Sequence, residues 1–335
     1  MTSPYEFDIA SQPQALRALS LASLPRSVEE QFARRFSRIV ITGMGTSHYA
    51  GYSTWKSLVN AGQSAWWIDT SQLLDVPELI TDDTLLIVTS QSGRSGEIVA
   101  LLKEIHQRSC VVVGVVNDEK SPLADQANVF IAMSAGDEAT VSTKSYLNSL
   151  VIHAELSSVL VEGHCAPIRS SLVQMAGDVE MWLKDDDPLN LNELGLQEAN
   201  SRLVLIGSGM HAATVLAGAL IIKEASKKQA EAYLGGEFRH GPIELAGPGL
   251  AAIILVDPDS ASNDLRRLSI ELRQTGSRVT ELREPFGHDD SDEAWGLRAQ
   301  FFGTIALQRL SVALARQSLI EPGAFLFGQK ITEAV

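Results

Sequence analysis

Two cysteines in 335 residues, Cys110 and Cys165, exclude a disulfide framework and a CxxC metal site. Cys110 opens the apolar run Cys110-Val111-Val112-Val113 and reads as a small core hydrophobe. Basic side chains are also scarce: 27 Lys and Arg stand against 41 Asp and Glu, a net charge of −14 at pH 7. That sign repels phosphodiester backbones, so nucleic-acid binding is not expected as the main task. A small anionic ligand stays compatible, because a few local donors hold a phosphate inside an acidic protein. No apolar run approaches the ~20 residues of a membrane span, and the N-terminus lacks the basic-then-apolar pattern of a signal peptide. The expectation is a cytoplasmic protein with no membrane partner. His48, His106, His153, His164, His211 and His288 show no zinc-ligand spacing with a third ligand, so no metal is expected.

What is present is an ordinary globular composition, 45% hydrophobic and 20% charged, in a chain long enough for about two domains. Short β-branched runs alternate with helix-period stretches. The strand candidates in the first half are Arg38-Ile39-Val40-Ile41, Ala65-Trp66-Trp67-Ile68, Thr84 to Val88, Cys110 to Val116 and Val129-Phe130-Ile131. Most are continuously apolar, as suits parallel strands covered on both faces. Tyr49 to Gly62 and Gly96 to Arg108 read as helices between them. The fold class is therefore α/β, an open doubly wound parallel sheet flanked by helices.

The second half repeats the plan. Arg202-Leu203-Val204-Leu205-Ile206-Gly207-Ser208-Gly209 echoes Arg38-Ile39-Val40-Ile41-Thr42-Gly43-Met44-Gly45 at an offset of 164, and Ala251 to Val256 plays the part of Leu85 to Val88. Order and spacing together mark a tandem repeat. The expected division is an N-terminal helical extension over 1–36, a first subdomain over 37–165, and a linker with a helix over 166–199. A second subdomain over 200–320 and a C-terminal tail over 321–335 follow. The linker carries the acidic run Asp185-Asp186-Asp187-Pro188 and helical patterning from Ile168 to Leu183, and Trp295 to Arg316 reads as a C-terminal helix.

Chemistry concentrates in few places. Thr89-Ser90-Gln91-Ser92-Gly93-Arg94-Ser95-Gly96-Glu97 follows the strongest strand and opens a helix. Ligands of open α/β sheets sit outside the carboxyl ends of strands, where helix N-termini offer unpaired N–H groups to anions. One serine would cap the helix; three hydroxyls, a glutamine and two glycines favour a phosphate. Gly45-Thr46-Ser47 ends the first strand and can join the same pocket. Neither Gly43 to His48 nor Gly207 to Ala212 is followed by a clear ribose-binding acid, Asp69 being a weak candidate, so no dinucleotide cofactor is expected.

Glu224 continues an apolar stripe from Leu216 and Leu220, either at its exposed end or in a partly desolvated place that would make it a usable base. Glu231 to Pro242 reads as a rigid turn displaying Glu237, Arg239 and His240, the histidine being either incidental or a proton carrier.

Gly45-Thr46-Ser47, Ser90-Gln91-Ser92-Gly93, Val141-Ser142-Thr143-Lys144, Lys223-Glu224, Ala230-Glu231-Ala232-Tyr233, Gly236 to Pro242 and Lys330 occur in one order, after an opening Gln12-Pro13. Together they resemble the sugar isomerase (SIS) superfamily, in particular the isomerase half of glutamine–fructose-6-phosphate aminotransferases and stand-alone phosphosugar isomerases and deaminases. The resemblance implies two tandem SIS subdomains and a homodimer whose sites use both subunits. It implies that Gly45, Thr46, Ser47, Ser90, Gln91, Ser92 and Ser95 bind a 6-phosphate and that Ser142 faces the sugar hydroxyls. Glu224 is then the base moving a proton between C1 and C2, His240 the ring-opening group that enters the partner's site, and Lys330 the lysine reaching the carbonyl carbon.

Departures point away from synthesis. The start Met1-Thr2-Ser3 offers no cysteine nucleophile and no room for a glutaminase domain, Ile221 replaces a lysine, and Arg94 stands in place of an acid. The ending Lys330-Ile331-Thr332-Glu333 looks more like the catabolic relatives. The resemblance thus implies an enzyme that isomerises a phosphorylated amino sugar and releases its nitrogen, with glucosamine 6-phosphate as first substrate. A fructosamine-6-phosphate deglycase and a non-enzymatic sugar-phosphate sensor are the rivals.

Overall fold

A computed structural model describes residues 2–33, 36–184, 196, 201–256, 264–285 and 294–330. They divide into two units, one around each of two parallel sheets.

The first sheet forms from the five apolar runs. Its strands are β1 (Arg38–Gly43), β2 (Ala65–Trp67), β3 (Thr84–Ser90), β4 (Val111–Val116) and β5 (Val129–Ala132), in the order β2-β1-β3-β4-β5. All four neighbouring pairs are parallel, and β1 lies against β3 with Ile39 beside Leu85 and Gly43 beside Thr89. Alternate side chains of a strand face opposite ways. Val40, Leu86, Val88, Val112 and Val116 accordingly share one face. They pack there with Leu73 of α6 (Thr70–Asp75), Ile98, Leu101 and Ile105 of α7 (Gly96–Ile105), and Leu123 of α8 (Pro122–Gln126). Beside this layer lie α2 (Gln12–Leu21), α3 (Arg26–Phe32), α4 (Thr46–Ala50), α5 (Tyr52–Asn60) and the long α9 (Lys144–Glu162), around which the other four gather. The expected helix from Tyr49 begins earlier, at Thr46, and is interrupted at Gly51.

The second sheet holds β6 (Arg202–Gly207), β7 (Ala230–Leu234), β8 (Leu250–Leu255) and β9 (Arg278–Leu282), all parallel, in the order β7-β6-β8-β9. Its four strands repeat the order of the first four in the other sheet. Leu203, Leu205, Ala251, Ile253 and Leu255 pack on α11 (His211–Ser226) and α13 (Trp295–Gln317), whereas Val204, Ile206, Ala252 and Ile254 pack with Leu268 and Leu272 of α12 (Asp264–Gln274). Two corrections follow. The stretch read as a turn from Glu231 is strand through Leu234, and β9 falls where no strand was expected.

The N-terminal helices do not stand apart as an extension. Residues 4–10, forming α1 (Pro4–Ala10), group with the second sheet, where Tyr5 Oη lies 3.1 Å from Ser311 Oγ, and 11–33 group with the first. The unit division falls between Ala176 and Gly177, inside α10 (Ile168–Trp182). The acidic run 185–188 and residues 331–333 lie outside the described residues. Among the described residues no helix is long and apolar enough to cross a membrane.

One buried polar latch ties α9 to the end of β3. Thr54 donates its hydroxyl to the His153 carbonyl at 2.8 Å and also lies 3.0 Å from His153 Nδ1, so Nδ1–H donates to Thr54 and Nε2 accepts from Thr89 at 2.9 Å. Burial lowers the His153 pKa to about 4 from an ordinary 6.5. The folded chain therefore holds the ring neutral while the unfolded chain protonates it below pH 6.5, so stability rises with pH across that interval. The loss on acidifying from pH 6.5 to 4 is expected to reach about 3 kcal/mol from this ring. Thermal melts between pH 7 and 4 check it. His153→Asn, which has no titrating ring, should give a shallower slope, and an equal slope would remove the latch as the cause.

Candidate functional site

In the order β2-β1-β3-β4-β5 the chain leaves β1 and β3 in opposite lateral directions, which opens a crevice outside their carboxyl ends. Both serine- and threonine-bearing loops singled out in the sequence end these two strands. Gly45 precedes α4, whose first residues are Thr46 and Ser47. Ser90 closes β3, and Gln91 to Ser95 lead into α7.

The second loop is organised by its own hydroxyls. Gly93 N donates to Ser90 Oγ at 3.0 Å and Arg94 N to Ser92 Oγ at 3.2 Å. A hydroxyl that accepts from the backbone keeps its hydrogen for donation outward. Ser95 stands at the N-cap of α7 without making a side-chain cap hydrogen bond, so a simple capping role does not account for it. Thr46, Ser90 and Ser92 are buried, and Gln91, Ser47 and Ser95 half-buried. Gln91 is anchored by its carbonyl, which accepts from Asn117 N at 3.2 Å. These hydroxyls and the N-terminal end of α7 form a cradle outside the sheet, of a chemistry that suits a small anion.

Arg94 turns its guanidinium to the β4–α8 loop, where Nε donates to Asp118 Oδ2 at 2.9 Å and an amino group donates to the Lys120 carbonyl at 2.8 Å. Asp69 caps α6, accepting from Gln72 N at 3.2 Å and from the Ser71 hydroxyl.

The same unit holds Ser142 and Lys330. Ser142 is half-buried, with its Oγ 3.1 Å from Ser145 Oγ. Lys330 donates its ammonium at 2.9 Å to Glu138 Oε2, a fully buried carboxylate to which no sequence pattern drew attention. Glu138 Oε1 accepts from Thr143 N at 2.7 Å, Thr143 Oγ1 at 2.9 Å and Ser145 N at 3.2 Å; Oε2 also accepts from Ser145 Oγ at 2.8 Å. Burial pushes its pKa up, but Lys330 and the hydroxyl and backbone donors outweigh that and hold it below the ordinary carboxylate value. The signal that could have found it is its place between Gly136 and the Ser142-Thr143-Lys144 stretch.

Glu224 and His240 belong to the second-sheet unit. Glu224 is half-buried near the end of α11, one turn beyond the fully buried Ile221. Lys227 ends that helix in the left-handed conformation, φ 60°, and its ammonium donates to the carbonyls of Glu224 and Ala324. Gly323 N donates to the Ala225 carbonyl at 3.1 Å, so the segment after α13 is stitched to the helix end that carries Glu224. Burial lowers the Lys227 pKa, against the opposing pull of Glu224.

His240 directly follows the short 3₁₀ helix Gly235–Arg239 that comes after β7, and a second, Pro242–Leu245, lies beyond it. Glu237 accepts from Leu234 N at 2.8 Å, and Phe238 is wholly buried beneath them. His240 itself is exposed and lines a cavity of about 400 Å³ together with Arg239 and Glu271, which pair with each other. Among the described residues no group of three His, Cys, Asp or Glu is placed to hold a metal.

The sequence matches the SIS domain family over 33–156 and 195–280. Glutamine–fructose-6-phosphate aminotransferase (isomerizing) of Clostridium perfringens is 29% identical over 240 residues, 69% of this chain and 39% of that protein. The Thermococcus kodakarensis enzyme of the same name is 30% identical over 292 residues, 83% of this chain and 48% of that protein. The chain thus spans from two fifths to about half the length of these relatives. Among solved structures, the C-terminal domain of the Francisella tularensis glucosamine-fructose-6-phosphate aminotransferase superposes with TM-score 0.79 at 23% identity, covering 97% of this chain and 99% of that one. Glucosamine-6-phosphate deaminase from Thermotoga maritima gives 0.76 at 19% identity, covering 98% and 99%. These structural likenesses are of fold. The family match itself takes in both loops of the cradle, Ser142, Glu224 and His240, and the chain belongs to the SIS domain family.

Proposed function

We propose that this chain is a phosphosugar isomerase and deaminase that converts glucosamine 6-phosphate and water into fructose 6-phosphate and ammonia. The observation that carries the reading is the cradle outside the neighbouring strands β1 and β3, whose two following loops hold Gly45, Thr46 and Ser47 and Ser90, Gln91, Ser92 and Ser95, with the Ser90 and Ser92 hydroxyls accepting from backbone and so keeping their hydrogens to donate. It suits a phosphate remote from the reacting carbons, whose binding holds the open chain in a reactive geometry.

In this reading His240 moves the ring-opening proton between the anomeric hydroxyl and the ring oxygen. Its exposure on the turn after β7 supports a role in a partner subunit's site, within a homodimer. Glu224 then takes the C2 proton and returns it to C1 on the same face, so one carboxylate serves both carbons. The C2 imine that results adds water and releases ammonia, leaving the ketose. Lys330, presented as an ammonium, stabilises charge developing on the sugar oxygen, and Ser142 faces the sugar hydroxyls.

Incubation with glucosamine 6-phosphate in D₂O, followed by proton spectroscopy, tests this. Loss of the C2 proton signal with appearance of fructose 6-phosphate and ammonium is expected. Absence of both exchange and product removes this substrate. Turnover of a fructosamine 6-phosphate instead would identify a deglycase, and binding without turnover of either a sensor.

A further inference from the structure

Glu138 is a buried carboxylate with five hydrogen bonds, and no step of the proposed reaction uses it. Four of those bonds come from Thr143 and Ser145, which closely follow Ser142; the fifth comes from Lys330, 192 residues away in the chain. Its side chain is 0% exposed and that of Lys330 24%. Burying a carboxylate this completely is costly unless it is both paired and hydrogen-bonded. Here the backbone and hydroxyl donors fix the carboxylate first, on a rigid helix start, and one lone-pair direction of Oε2 is left to receive the lysine. Among the described residues, 318–330 leading to Lys330 hold no helix or strand.

We propose that Glu138 is the positioning residue of the site: it clamps the ammonium of Lys330 and sets the Ser142 stretch in register with it. One carboxylate thereby couples the C-terminal lysine to the loop that faces the sugar. The arrangement also fixes where the Lys330 side chain ends: its Nζ is held 2.9 Å from Glu138 Oε2. This rests on the phosphosugar reading for its role in turnover, but the clamp itself does not.

Two readouts separate these. In the full chain, acetylation of lysines read by mass spectrometry reports how readily the amine leaves its partner, so Lys330, held against Glu138 Oε2, should be modified about tenfold faster in Glu138→Gln than in the parent. With glucosamine 6-phosphate, Glu138→Gln should lower kcat by about 100-fold while KM stays within about threefold. Lys330→Met should cost as much, and the double variant no more than Lys330→Met alone, because both changes break one contact. Glu138→Asp, which keeps the charge, should recover part of kcat. Unchanged labelling, or losses that multiply in the double variant, would overturn the clamp. Should Glu138→Gln fail to fold, Lys330→Met and Lys330→Arg carry the kinetic comparison: a clamped cation is rescued in part by Arg, and equal losses in both would overturn it. If the parent turns over no amino-sugar phosphate, the functional reading fails and the labelling ratio still decides the clamp.

Discussion

Glu224→Gln is expected to lower turnover of glucosamine 6-phosphate by about 10³-fold, close to 4 kcal/mol of transition-state stabilisation. Glutamine keeps the size and outline of the side chain and removes its negative charge together with its capacity to take a proton. The helix end that carries it is also held through its backbone: Ala225 and Glu224 are tied through their carbonyls to Gly323 N and the Lys227 ammonium, and Ala225 and Ser226 are buried. Stability should therefore move by about 1 kcal/mol, the scale of one partly exposed electrostatic pair. Affinity for the product phosphosugar should stay within about twofold, since the cradle belongs to other loops. Solvent deuterium exchange at C2 checks the assignment apart from nitrogen release. A variant that still exchanges would place the base elsewhere, whereas loss of exchange with retained binding isolates the proton-transfer step.

How much of this was legible beforehand depended on whether a segment's burial matched its local pattern. β1, β3, β4, β6 and β8 are buried along nearly their whole length and are written in runs of Val, Ile and Leu, so their positions and the doubly wound class followed directly. β7 and β9 are the edge strands of their sheet. Ala-Glu-Ala-Tyr-Leu and Arg-Val-Thr-Glu-Leu are mostly half-buried, and their residues become strands through pairing with β6 and β8, which no local pattern records. α9 was invisible as a helix for the opposite reason. It is buried on nearly every side, so its polar and apolar residues show no periodic face. The cradle was readable because three of its hydroxyls, Ser90, Ser92 and Ser95, lie within six residues of one another, and Thr46 and Ser47 closely follow a strand of the same apolar pattern. Glu138 and Lys330, and likewise Thr54, Thr89 and His153, are joined only by the fold, across separations of 64 to 192 residues.

Gly93→Ala should damage the cradle more than removal of any single hydroxyl. Gly93 has φ 61°, a conformation that costs a residue with a side chain about 1–2 kcal/mol. An added Cβ would also lie 2.2 Å from Ser121 Oγ, 2.6 Å from Ser121 Cβ and 2.8 Å from Val116 Cγ2. Val116 belongs to β4 and is fully buried, so it has nowhere to go. Ser121 caps α8 by accepting from Ala124 N at 3.2 Å, and displacing it forfeits about 1 kcal/mol more. Together with the overpacking, a loss of about 3 kcal/mol in stability is expected. The functional loss follows from the same displacement, because Gly93 N donates to Ser90 Oγ and its shift turns that hydroxyl away from the anion. Affinity for inorganic phosphate and for fructose 6-phosphate should fall by about 100-fold. Gly62→Ala is the control: φ is 75° there too, but nothing lies within 4 Å of the added Cβ. It should cost only the backbone strain of about 1 kcal/mol and leave phosphate affinity unchanged. Calorimetric titration of both variants below their melting temperatures separates the effects. Equal phosphate affinity in the two would mean that the anion binds elsewhere than the loop after β3.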